Sequence, residues 1–69
     1  MTTYYEVHVF HSRNEGFSIP VKSEQGELDD DSVIQLAVKN EQLDYEDAKS
    51  VDYVESIDEE TFLSLGGKL

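Results

Sequence analysis

Apolar residues alternate with polar ones through the first third of the chain and recur at helical spacing in its middle. Tyr4-Tyr5-Glu6-Val7-His8-Val9-Phe10 is rich in aromatic and β-branched residues at period two, which predicts a strand. Tyr5, Val7 and Val9 share one face of it; Tyr4, Glu6, His8 and Phe10 share the other. The polar stretch from His11 to Gly16 predicts a hairpin connection of several residues rather than a tight two-residue turn. Phe17-Ser18-Ile19-Pro20-Val21-Lys22 then alternates with Phe17, Ile19 and Val21 on one face. Pro20 has no amide proton for a ladder, so this second strand is expected at a sheet edge.

The segment from Leu28 to Asn40 predicts the main helix. With Asp29 as N-cap, Leu28 and Val33 stand at the two positions of a hydrophobic staple. Asp30 and Asp31 fall in the first turn, where the helix dipole favours negative charge. Val33, Ile34, Ala37 and Val38 line one side, widened by Leu36, and Gln35 and Lys39 face outward. Asn40 tolerates a left-handed backbone and suits the helix end, with a run on to Leu43 as the alternative. Glu41 to Lys49, polar except for Leu43, Tyr45 and Ala48, is expected to be irregular. Ser50 to Ile57 reads as a third strand that alternates at Val51 and Tyr53 and breaks step at Val54, where it is bulged or ends. Ile57-Asp58-Glu59-Glu60-Thr61-Phe62 repeats the staple and Asp cap of the first helix. Leu65 and Gly66-Gly67 close this second helix after about two turns.

These elements assemble into one small α+β domain spanning residues 1–69. A hairpin followed by a helical crossover predicts a ββαβ fold with a three-stranded antiparallel sheet of order 2-1-3. One main helix covers one face, and the short C-terminal helix docks Phe62 and Leu65 at one end. The expected core is Tyr5, Val7, Val9, Phe17, Ile19, Val21, Val51 and Tyr53 against Val33, Ile34, Ala37 and Val38. The other sheet face is expected to stay open, carrying Tyr4, Glu6, His8 and Phe10, with Val54 a further candidate. Tyr4, His8 and Phe10 are its candidate partner-binding residues, for another protein or for a second copy of the chain. Cross-strand stabilisation is the simpler account of the same aromatics.

Charge sharpens the choice of partner. Residues 1–23 balance Glu6 and Glu15 against Arg13 and Lys22. Residues 24–60 carry fourteen carboxylates against Lys39 and Lys49, a local net of −12 within a total of −11. Such a field repels nucleic acid and anionic membranes and favours a partner with a basic surface. Asp44, Glu46, Asp47, Asp52, Glu55, Glu59 and Glu60 form the candidate acidic surface, with Asp29 to Asp31 and Asp58 nearby in sequence. Carboxylates can imitate phosphates, so a nucleic-acid mimic that fills a basic groove is one reading; solubility is the plainer one. No apolar run nears the roughly 20 residues that span a bilayer. Met1 to Glu6 lacks the pattern of a signal peptide, and the chain has no cysteine, so a cytoplasmic location is expected.

Catalytic chemistry and cofactors are not expected. His8 and His11 stand three apart on a strand and point to opposite faces, and no thiol is present, so no metal site is predicted. A calcium loop starting at Asp29 would need an oxygen ligand, glycine and glutamate where the chain has Val33, Ile34 and Asn40. No serine sits in a nucleophile elbow, and no glycine-rich loop opens a helix.

Taken together, Tyr5-Glu6-Val7-His8-Val9, the strand ending Val21-Lys22-Ser23-Glu24, the acid-started helix and Val51-Asp52-Tyr53-Val54 resemble the DpnD/PcfM-like family. These are small β-β-α-β accessory proteins of phages and conjugative elements in Gram-positive bacteria. The chain departs from that pattern in its Pro20 strand and its closing Phe62–Leu65 helix. The resemblance implies an accessory role in a mobile element and no catalytic residues. The expected function is a non-enzymatic protein–protein interaction module, with the nucleic-acid mimic as the alternative.

Overall fold

The glycine-free first strand takes the centre of the sheet, as its two partly apolar faces require. In the computed structural model, which describes residues 1–69, β1 (Thr3–Ser12) lies between β2 (Glu15–Ser23) and β3 (Val51–Ile57). Both pairings are antiparallel and the order is β2-β1-β3, with the Pro20 strand at an edge as expected. Three helices follow the cap chemistry of the sequence: α1 (Asp30–Lys39), α2 (Tyr45–Lys49) and α3 (Glu59–Ser64). The α+β architecture is therefore the one the hydrophobic pattern predicts. No helix is long and apolar enough to cross a membrane.

The core forms between α1 and one face of the sheet. Tyr5, Val7, Val9 and Val21 from the strands meet Val33 and Ala37 from the helix, with Val7, Val21 and Val33 fully buried. Burying each such valine contributes on the order of 1.5 kcal/mol or more. The Tyr5 hydroxyl accepts a hydrogen bond from the Leu28 backbone N–H at 2.9 Å, so the central strand itself holds the chain leading into α1. That bond also satisfies a polar atom that burial would otherwise strand.

Local details depart from the sequence reading, each for an identifiable reason. The hairpin is tighter than expected: Ser12 pairs with Glu15, leaving Arg13-Asn14 as a two-residue turn. Neither residue has a positive φ, so the turn is not one of the primed types that match strand twist. A bulge at His11 takes up the mismatch. A second bulge occurs in β3. Val51 pairs with Val9 and Tyr53 with His8, so Asp52 is the extra residue. Because side chains alternate, that single insertion reverses everything after it. Val54, opposite Val7, turns to the core, and Tyr53 is carried to the other face, 49% exposed. Phe17, at the hairpin end, stays 42% exposed instead of joining the core. Ile34 is half-buried beside Val38, Tyr45 and Ala48 in the crease between α1 and α2.

The segment expected to be irregular holds α2 and a core residue. Leu43, Asp44 and Ala48 reproduce the apolar–Asp–apolar spacing of the other two helix starts, and Leu43 is buried with the core. The third helix also differs in placement. Phe62 is 3% exposed yet lies outside the main cluster, its ring 4.7 Å from that of Tyr4. Since Tyr4 points away from the core face, α3 folds back over the second face.

Helices α1 and α3 end in the same way. After α3, the Gly66 and Gly67 amides donate to Leu63 and Phe62, and Gly66 has φ +92°. After α1, Glu41 and Gln42 donate to Val38 and Ala37. These are Schellman closures with the left-handed residue just beyond the cap. At α1 that residue is Glu41, φ 61°, and Asn40 is the cap with φ −87°. A side chain in the left-handed region costs about 1 kcal/mol relative to glycine. Glu41→Gly is therefore expected to stabilise the protein by about 1 kcal/mol, raising Tm by roughly 4–8 °C for a domain of this size. The β3 bulge yields a second expectation, also read by thermal unfolding: Val54→Ser should lower Tm well beyond Tyr53→Ser. The reverse order would mean that the strand alternates without a break.

Candidate functional site

The second sheet face is a short ladder of side chains whose rows follow from the pairing. Lys22, Tyr4 and Ile57 form the first row, Pro20, Glu6 and Glu55 the next, and Ser18, His8 and Tyr53 the third. Phe10 follows, opposite Gly16, which offers no side chain to cover it. Of the three residues expected as an open partner face, only Phe10 is freely presented, at 55% exposure.

Tyr4 is covered. Phe62 packs on its ring, and its hydroxyl donates to Glu59 Oε1 at 3.3 Å. Desolvation and then the negative Glu59 carboxylate raise the Tyr4 phenol above its ordinary pKa. Gly67 lies so close to the Phe62 ring that an added Cβ would meet it at 2.5 Å, which seats the chain end against α3.

His8 is held on several sides. Tyr53 stacks on it with ring centroids 4.0 Å apart and planes 18° from parallel. Ser18 Oγ hydrogen-bonds Nδ1 at 3.0 Å. On the other edge, Nε2 is buried without a hydrogen-bond partner and lies 3.4 Å from Glu6 Oε2. The His8 and Glu6 side chains are 22% and 15% exposed. Glu55 joins them, so that ligand atoms of Glu6, His8 and Glu55 all fall within 4.8 Å of one another. His11 points elsewhere, as expected: its Nε2 pairs with Asp47 Oδ1 of α2 at 2.8 Å. The chemistry near His8 was hidden from the sequence because Glu55 comes beside it only through the β3 pairing, shifted by the Asp52 bulge. The visible part of the signal was Glu6-x-His8 on one strand face.

The candidate acidic surface separates into distinct local roles. Asp29, Asp44 and Asp58 each cap a helix, accepting from the backbone N–H of Ser32 at 2.8 Å, Asp47 at 2.7 Å and Thr61 at 2.7 Å. Asp30 and Asp31, Glu46 and Asp47, and Glu59 and Glu60 occupy the three first turns. Nine of the fourteen carboxylates of residues 24–60 are thus helix-start residues. Asp52 is the bulge residue and Glu55 belongs to the His8 cluster. Three of the five basic residues, Lys22, Lys39 and Lys68, line a shallow polar groove along the β2 side.

The caps make a pH prediction. Hydrogen bonds to Ser32 and Thr61 lower the Asp29 and Asp58 carboxyls below their ordinary value of 3.8. A lowered folded-state pKa stabilises fully above the unfolded value and is lost as pH falls through the folded one. Asparagine keeps the capping oxygen without the titration. The Asp29→Asn, Asp58→Asn double variant should therefore unfold like the wild type near neutrality and lose less stability below about pH 4. Urea titrations across that range measure the difference. No protein-family model, no curated protein and no solved structure matches the chain.

Proposed function

We propose that the protein is a non-enzymatic interaction module whose second sheet face docks another protein bearing an apolar anchor ringed by basic side chains. The observation that carries this reading is the outward pair of aromatics at the hairpin end of that face. Phe10 is 55% and Tyr53 49% exposed, in adjoining rows, beside the carboxylates of Glu6 and Glu55. Aromatics at the centre of a patch are the usual anchors of protein interfaces, and flanking charge selects the partner. A net charge of −11 opposes association with a second copy and favours a cationic surface.

The face is better suited than either edge. Pro20 gives β2 no amide to offer at its middle, and the Gln42 side chain donates to the Pro20 carbonyl at 2.6 Å. The Asp52 bulge interrupts β3. Both are devices that discourage strand addition. An accessory role in the cytoplasm of a host carrying a phage or conjugative element fits such a module and rests on the sequence resemblance.

The nucleic-acid mimic is the less favoured alternative. It draws on the amount of negative charge, whereas the positions of that charge follow the helix starts. Helices α1 and α2 lie on one side of the sheet and α3 on the other, so their first-turn acids do not form one band.

Affinity capture from an extract of the source organism, in low and high salt, tests the reading. A partner retained by the wild type should be lost with Phe10→Ser and with Tyr53→Ser, both still folded by circular dichroism. It should persist with Glu46→Gln and Glu60→Gln. The opposite pattern, with competition by DNA or RNA, would establish the mimic. A dimer abolished by Phe10→Ser would show that the face is self-complementary and overturn the separate partner.

A further inference from the structure

We propose that Glu6, His8 and Glu55 bind a divalent transition-metal ion of the zinc class, clamping β1 to β3. The proposal rests on the geometry of these three side chains and is independent of the docking partner.

The strand ladder makes the cluster. Glu6 and Glu55 are directly opposite in the β1–β3 pairing, and His8 follows Glu6 by two residues on the same face. Two carboxylates in that relation repel, and like charges facing across a ladder are destabilising. Neither is paired with a lysine or arginine. A bound cation removes this cost and converts the repulsion into attraction.

Distances and bonding fit two ligands of one ion better than a direct contact. His8 Nε2 and Glu6 Oε2 are 3.4 Å apart and do not form a hydrogen bond, although Nε2 is buried. A tetrahedral ion bound at about 2.0–2.1 Å from nitrogen and oxygen holds its ligand atoms roughly 3.4 Å apart. The opposite ring nitrogen is already engaged by Ser18. With Nδ1–H donating to Ser18 Oγ, the Nε2 lone pair faces the two carboxylates, and a hydrogen bond at the far ring nitrogen is what fixes the ring of a ligating histidine. The parallel Tyr53 ring holds the imidazole plane from the side.

The donor set selects the metal. An imidazole with two carboxylates suits zinc and its neighbours in the first transition row. Calcium and magnesium prefer oxygen-only sites with more ligands. Three protein ligands leave one tetrahedral position for water or for a group from a partner.

The experiment uses the tag-free 69-residue chain stripped of metal with a chelator, titrated calorimetrically with Zn²⁺, Ca²⁺ and Mg²⁺. One Zn²⁺ per chain is expected, without comparable binding of the other two, together with a rise in Tm. Co²⁺ should give the intense visible bands of a tetrahedral site. His8→Gln, Glu6→Gln and Glu55→Gln should each weaken Zn²⁺ binding at least tenfold, while His11→Gln, which alters the separate pair with Asp47, should not. Metal-free Glu55→Gln should melt no lower than the wild type, because a repulsion is relieved as a ligand is lost. Should a His8 or Glu6 variant fail to fold, exposed Glu55 decides the matter. Absence of stoichiometric Zn²⁺ uptake, or uptake unchanged in Glu55→Gln, overturns the proposal, as does uptake that depends on His11.

Discussion

A central strand has two faces, and this chain has only one long helix with which to cover them. The first face of β1 is closed by α1 and by Leu43 at the start of α2. The second is closed in pieces: Phe62 over Tyr4, Tyr53 against His8, and nothing over Phe10. In a chain of 69 residues without cysteine, that partial cover is what the available apolar surface permits. Graded burial along β1 is the consequence. It runs from a packed end under α3, through a half-buried polar middle, to an open aromatic end at the hairpin.

The elements themselves were legible because periodicity and capping are local. Tyr5, Val7 and Val9 announce a half-buried strand, Asp29 with its Leu28–Val33 staple announces α1, and Pro20 announces an edge. The site was not legible, because it depends on the single-residue insertion at Asp52. Nothing in Val51-Asp52-Tyr53-Val54 says whether Tyr53 or Val54 takes the core, since both are β-formers. The decision rests with Val7, across the ladder, which needs an apolar partner on the helix side. Helix α2 was missed for a different reason. Its five residues are too few to show periodicity, although its Leu43-Asp44 start uses the same signal that identified its neighbours.

The acidity of the second half now has a mechanical account. Short helices are weak in isolation, and α2 and α3 are five and six residues long. Each exposes N–H groups at its start and gains from an Asp cap and negative charge in the first turn. Using the same device three times accumulates charge as a by-product. Most of the carboxylates that could imitate phosphates belong to three helix starts distributed over both sides of a sheet. Of the five acids left over, Asp52 and Glu55 belong to β3.

Those two lie where the second face is least ordinary. A face built only to pack would place β-branched residues opposite one another at the middle of its ladder. A face built only for solvent would not bury an imidazole nitrogen against a carboxylate. The row of Glu6 and Glu55, with His8 beyond it, does neither: it gathers charge of one sign beside an unpartnered nitrogen and walls it with Tyr53. Tyr53 faces both ways, its ring stacked on His8 and half its surface turned outward next to Phe10. The proposed ion at the cluster would fix His8, and through it the exposed face of Tyr53. The Asp52 insertion that turns Tyr53 outward is thus the common origin of the polar cluster's wall and of the exposed aromatic pair proposed as the docking surface.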